Sequence, residues 1–323
     1  MSFRLLPGKP ELYHGTNKSR PYFEGWYFKL SSPEDDFSLA VIPGVSVGQD
    51  EKDDHSFIQV LFRNESHYVK FPRDKFKCKK DEFKLKVGQN SFSIDRLIVD
   101  ITDNEFHISA ELNFSNHIQL ETNLYSPSIM GPFSYLPGMQ CNHGVLSLDC
   151  KVSGVVNING RSYNIKGYNG YIEKDWGSEF PKSWLWLQCN GPYGDSGRFS
   201  MMCSIASIPI GLIKFKGLIA YVYIDGKQIL FSTYNFSKIK KIIKRDKGVE
   251  VILKKSGYEL HIKAAASDDS VLKAPEAGEM KREILESIKA NIDIVLYQFG
   301  KEIFSSSYSC GGLETSEISS IIS

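Results

Sequence analysis

The chain has 323 residues and a formal net charge of +1, with 41% hydrophobic and 24% charged side chains. So balanced a charge excludes the basic field that a nucleic-acid backbone needs, and ordinary globular composition excludes a disordered or fibrous chain. Twenty-six glycines and a 12% aromatic share suit short strands joined by many turns, in one large domain or two.

In chain order, Met1–Pro10 lacks an apolar core of signal-peptide length, which makes the cytoplasm the default address. The charged stretch Asp50–Asp54 reads as an exposed loop. Phe106, Ile108, Ala110, Leu112 and Phe114 alternate with polar residues, as in a strand wet on one face. Leu146, Leu148, Cys150 and Val152 repeat that pattern, and Asn159-Gly160 predicts a hairpin into Tyr163 and Ile165. The most apolar stretch, Met201–Tyr223, is broken by Pro209, Lys214 and Lys216 and reads as buried β-structure instead of a membrane span. Its run Ile208–Leu212 reads as buried strand in preference to a segment dipping into lipid, and transient membrane contact stays open. Leu218–Ile224 turns at Asp225-Gly226 into Gln228–Tyr234. Lys238–Arg245 reads as a basic helical turn, and Val249–Leu253 turns at Ser256-Gly257 into Tyr258–Ile262. Ser267–Glu279 reads as an exposed loop. In Glu279–Ala290 helix competes with strand, strand being favoured where Ile288–Leu296 keep a two-residue period before a turn at Gly300. Such strands must close or stack to remove their edges, and a barrel of about eight strands can hold one small ligand.

The sequence holds no phosphate-binding loop, no dinucleotide GxGxxG after a strand, no HExxH and no GxSxG elbow. The six cysteines lack CxxC spacing and read as reduced packing residues, without thiol chemistry at Cys141 or Cys189. Cys141 and His143 could share a metal, but further ligands at useful spacing are missing, so neither metal nor cofactor is expected.

Four segments are dense in aromatic and functional side chains: Arg20–Lys29 (RPYFEGWYFK), Met130–Gly144 (closing in CNHG), Gly167–Gly177 (GYNGYIEKDWG) and Phe180–Asn190 (FPKSWLWLQCN). With GGLE at Gly311–Glu314, these motifs in this order resemble the tocopherol cyclase family and its bacterial relatives over nearly the whole chain. The resemblance implies an all-β fold related to carotenoid hydratases: two lipocalin-like (calycin-type) antiparallel β-barrel domains packed side by side with few short helices, divided here into residues 1–180 and 181–323. It also implies cofactor-independent protonation of a prenyl double bond and capture of the cation by a phenol oxygen, closing a chromanol-type ring on a prenylated phenol or other hydrophobic isoprenoid.

The residues suit that chemistry. In an extended Tyr171–Gly177, Glu173 and Asp175 project to one side, where proximity and burial keep one carboxyl protonated. Indole faces can stabilise a cation by roughly 0.5–2 kcal/mol each, and Trp26, Trp176, Trp184 and Trp186, all four tryptophans of the chain, lie in these motifs. Asp175 is the expected proton donor, tuned by or exchanging roles with Glu173, and His143 or Tyr171 the acceptor of the substrate hydroxyl proton. Tyr27 joins the tryptophans as a wall, while Asn142, Gln188 and Asn190 orient the head group. Plainer readings compete: Asp175 capping a turn, Glu173 paired to Lys174, His143 as a hydrogen-bonded turn residue, Trp184 and Trp186 as packing, and Glu24 as structure. Three functions fit such a site, namely a cyclase, a non-catalytic lipocalin-like carrier, and an isoprenoid hydratase using water as nucleophile.

Overall fold

The computed structural model describes residues 8–210, 213–267 and 269–322. Strands β1 (Tyr22–Ser32), β2 (Phe37–Val47), β3 (His55–Phe62), β4 (Glu65–Pro72), β5 (Phe76–Cys78), β6 (Lys84–Val87), β7 (Asn90–Ser93), β8 (Arg96–Asp103), β9 (Phe106–Ile118), β10 (Cys141–Ile158) and β11 (Arg161–Gly177) form one sheet. Its order is β4-β3-β2-β1-β11-β10-β9-β8-β7-β6-β5. A second sheet contains β12 (Trp184–Tyr193), β13 (Gly197–Ile210), β14 (Ile213–Ile224), β15 (Lys227–Ser232), β16 (Lys238–Arg245), β17 (Gly248–Lys255), β18 (Tyr258–Ala265), β20 (Glu279–Gln298) and β21 (Lys301–Ser316), with β19 (Ser270–Glu276) paired to β20. The helical segments among the described residues are 3-10 turns of three to five residues. The fold is therefore all-β and lipocalin-like.

Two compact units emerge: Met1–Ser31, Leu39–Phe180 and Lys273–Glu283 make the first, and Ser32–Ser38, Pro181–Leu272 and Ile284–Ser323 the second. In the first, Phe28 packs against Phe83, Phe92 and Phe114, and Trp26 against Phe76 and Phe83. In the second, Leu185, Leu187, Met201, Val222, Val251 and Leu296 belong to one buried hydrophobic core.

The expected hairpins form because their turn residues accept a left-handed backbone. Asn159-Gly160, Asp225-Gly226, Ser256-Gly257 and Phe299-Gly300 all have positive φ, as the tight two-residue turn requires. Two expectations are corrected, and one left open is resolved. Lys238–Arg245 is strand β16, because Ile242 is buried opposite Val251 while the basic side chains face out. Ser267–Glu279 is no exposed loop: Ser270, Leu272 and Ala274 are buried on β19, and Ala277-Gly278 supplies another positive-φ turn into β20. Glu279–Ala290 is strand throughout. Asp50, Glu51 and Lys52 are exposed as expected, whereas Asp53 and Asp54 are half-buried and Asp54 is bidentate with Arg20 at 2.6 and 2.5 Å. In the apolar run, Ile208 is half-buried and Pro209 exposed on β13, and Gly211 and Leu212 lie outside the described residues. No helix among the described residues is long and apolar enough to cross a membrane. All six cysteines are free.

Candidate functional site

Strand β11 lies between β1 and β10, and its alternation sorts the segment Tyr171–Trp176 onto two faces. On one face Asp175 stands opposite His143 of β10 and Gly25 of β1, while Glu173 stands opposite Val145 and Tyr27. His143 Nδ1 is 2.9 Å from Asp175 Oδ1, and its Nε2 is 3.4 Å from Glu173 Oε2, an ion-pair contact without hydrogen-bond alignment. The Tyr171 hydroxyl donates to Glu173 Oε2 at 2.5 Å. Side-chain exposure is 12% for His143, 6% for Glu173 and 22% for Asp175, so the aspartate is the member that water or a ligand reaches.

Burial opposes a charge on His143, but Asp175 and then Glu173 outweigh it and raise the imidazole pKa to about 9. Cys141 Sγ donates to Asp175 at 3.9 Å, and burial, helped by Asp175, pushes its thiol well up, so it stays protonated. His143, Glu173 and Asp175 each offer a ligand atom within 4.8 Å of the others. An imidazole and two carboxylates would suit a divalent ion, provided the proton joining His143 to Asp175 leaves.

The other face carries a second cluster that the sequence reading did not anticipate. Lys174 is fully buried between two indoles, with Nζ 4.5 Å from the Trp26 ring centre and 4.8 Å from that of Trp176. It ion-pairs with the fully buried Glu24 and donates to the carbonyls of Pro10 (2.9 Å) and Leu12 and to His14 Nδ1 (2.9 Å). Tyr22 donates to Glu24, both Glu24 oxygens accept from the His14 backbone N–H at 3.0 Å, and the His14 ring stacks on Trp176 at 4.4 Å. Burial lowers the Lys174 pKa to about 8 against the pull of Glu24. For Glu24, burial alone would raise the pKa, yet Lys174 and His14 hold it below its ordinary value. The signal for this cluster is the alternation itself, which puts one cation on a face otherwise made of Ile172 and Trp176.

Among the expected site residues, the structure brings together Tyr171, Glu173, Asp175, His143 and Tyr27. Trp26, Asn142 and Trp176 are on the opposite face: the Trp26 indole donates to Glu11 O at 3.0 Å, and Asn142 donates to Trp176 O at 3.3 Å. Glu173 is not paired to Lys174, whose partner is Glu24. The indole-lined chamber around Asp175 is thus corrected: Trp26 packs against Phe76 and Phe83, Phe28 packs against Phe83 and Phe92, and the acid sits on the other side of the sheet. In the second unit Trp184, Trp186, Gln188 and Asn190 share the face of β12 opposite the hydrophobic core. Trp184 donates to Glu314 Oε2 at 3.0 Å, Glu314 stands directly opposite the buried Glu286, and Gln188 donates to Asn190 at 3.0 Å. Neither glutamate was anticipated, although GGLE ends at Glu314.

A lipocalin-like β protein with a half-buried imidazole–carboxylate cluster on a sheet face is the class that this geometry defines. The tocopherol cyclase-like family profile matches residues 121–316, more than half of the chain, and the chain belongs to that family. The chloroplastic tocopherol cyclase of Zea mays is 23% identical over 255 residues, covering 62% of this chain and 52% of the maize protein. The chain thus spans about half the length of that relative. Among solved structures, a putative AttH from Nitrosomonas europaea is similar with a TM-score of 0.56 at 13% identity, over 98% of this chain and 96% of that one. Kievitone hydratase from Nectria haematococca is similar at 0.52 and 12%, over 95% and 94%.

Proposed function

We propose that the protein catalyses a tocopherol cyclase-type reaction, adding a phenol oxygen across an isoprenoid double bond of a hydrophobic, prenylated phenol or quinol. The observation that carries this reading is the 2.9 Å contact between His143 and Asp175, beside Glu173 and Tyr171. With its pKa raised to about 9, His143 holds a proton at neutral pH. Asp175, the most exposed member, is the exit. A proton passes along the His143–Asp175 bond to an alkene carbon, the π pair forms the new C–H bond, and the phenol oxygen closes on the cation. The phenolic proton then returns to the cluster, so no oxidant, reductant or cofactor is consumed. His143 begins as donor and ends as acceptor, which revises its expected role as base alone. A positioned general acid contributes on the order of 10²–10⁴-fold in rate.

Water in place of the phenol oxygen gives hydration, a second reading supported by the likeness to kievitone hydratase and by the 22% exposure of Asp175. Mass spectrometry of products from a prenylated quinol separates the two, because cyclisation keeps the substrate mass and hydration adds a water. Asp175→Asn should bind the quinol and lose turnover. Full activity in that variant, or binding without turnover by the native protein as a carrier would show, refutes the catalytic reading.

A further inference from the structure

Between β9 and β10 the chain leaves the sheet for the segment Gln119–Gln140, in which Glu121 is the only charged side chain although 24% of the whole chain is charged. Its tip exposes what a water-facing loop normally hides. Leu124 and Tyr125 are 85% and 86% exposed, Tyr135 and Leu136 are 52% and 44% exposed, and Pro132 and Pro137 are exposed beside them.

These side chains are held in place. Asn123 and Ser126 exchange backbone hydrogen bonds at 3.0 and 3.1 Å, and Asn123 Oδ1 accepts from the N–H groups of Tyr125 and Ser126 at 2.9 Å. Leu124 and Tyr125 are therefore the corners of a tight turn. The Tyr135 hydroxyl donates to Leu124 O at 2.7 Å, tying the second exposed pair to the first. Ser128 Oγ lies 2.6 Å from Ser134 Oγ and accepts the Met130 N–H at 3.1 Å, closing the loop on itself.

The loop is continuous with the candidate site. Pairing of β9 with β10 begins at Ile118 and Asp149, so the β10 edge from Cys141 to Leu148 lies beyond that ladder. There the His143 N–H donates to Met130 Sδ at 3.1 Å.

We infer that the Leu124–Tyr125 and Tyr135–Leu136 tip docks the protein on a phospholipid bilayer surface and brings the acid cluster to an apolar substrate dissolved there. The last clause rests on the reading of the site given above. Tyr125, 86% exposed, suits the headgroup level, with an apolar ring and a polar hydroxyl at its end. Without basic residues in the segment, attachment depends on apolar insertion instead of attraction to anionic lipid, and is insensitive to salt.

Flotation with phosphatidylcholine vesicles tests this. The native protein should float equally at low and high salt, Leu124→Ser/Tyr125→Ser should lower partitioning at least tenfold with unchanged melting temperature, and Tyr125→Trp should show vesicle-dependent blue-shifted emission. The inference fails if the native protein stays in solution, if the double variant partitions equally, or if floating requires anionic lipid. It also fails if the double substitution merely converts a native dimer to a monomer, since the tip would then contact a second copy of the chain. Detergent-dispersed quinol distinguishes the two claims. There Leu124→Ser/Tyr125→Ser should turn over at the native rate, and absence of turnover by the native protein would refute the site while leaving vesicle partitioning intact.

Discussion

Removing Asp175 tests the site by the proton that His143 holds. An imidazole titrates at about 6.5 in an unfolded chain, and in the folded protein His143 is raised to about 9. A raised pKa means that the native state holds the proton more tightly. The stabilisation is full below about pH 6.5 and gone above about pH 9, and at 1.36 kcal/mol per pH unit it amounts to about 3 kcal/mol. His143 is 12% exposed, so solvent screening removes little of this. Lys174 works in the opposite sense: its pKa is lowered to about 8, so the penalty for its buried charge is relieved as pH rises from about 8 to the ordinary lysine range. The two overlap in an absolute curve. They separate in the difference between native protein and Asp175→Asn, where Lys174 cancels. In the variant the imidazole keeps the Glu173 contact at 3.4 Å, loses its larger electrostatic support and falls under the control of burial. Urea unfolding at half-unit steps from pH 6 to 9.5, with NMR titration of the imidazole, should show the native advantage shrinking as pH rises and the His143 midpoint lower in the variant. A native midpoint at or below 6.5, or a pH-independent difference, refutes the reasoning.

On the opposite face, Lys174→Met should destabilise the protein by about 3–5 kcal/mol, because it strands the buried Glu24 carboxylate. The double variant Lys174→Met/Glu24→Gln should recover most of that loss in urea titrations, and additive effects would mean that the pair is not coupled. In the second unit, a Cβ at Gly312 would lie 2.4 Å from the Trp186 ring. Gly312→Ala should therefore cost about 1–3 kcal/mol by overpacking and alter the near-ultraviolet tryptophan signal, and an unchanged melting temperature would show that the ring has room to move.

Much of the fold was legible because its information is local. Asn159-Gly160 and Asp225-Gly226 name their own turn geometry, and Phe106–Phe114 name their own wet and dry faces. Strand β19 was hidden because the aspartates and glycine around it mask a three-residue alternation of Ser270, Leu272 and Ala274. Lys238–Arg245 misled through its charge, although Ile242 supplies the burial that fixes it as strand. Within the site, the shared side of Glu173 and Asp175 was readable from a period of two. That Trp26 and Trp176 face away from them follows from the same period, yet the clustering of indoles in sequence suggested one wall.

The partner of Asp175 was beyond reach for a specific reason. Counting outward from the Asn159-Gly160 turn, where Ile158 pairs with Arg161, an unbroken ladder would set His143 opposite Trp176, on the face of Lys174. The ladder between β10 and β11 is broken by register shifts at Val145/Ser147, Ser147/Cys150 and Val152/Ser153, and their net effect is one residue. A one-residue slip moves a side chain to the other face of a sheet, and this one carries His143 to Asp175. The bulges therefore determine whether the imidazole meets two carboxylates or a buried ammonium group. A cluster that depends on such irregularity is a property of the whole hairpin, so the motif CNHG, which names the histidine, cannot name its partner.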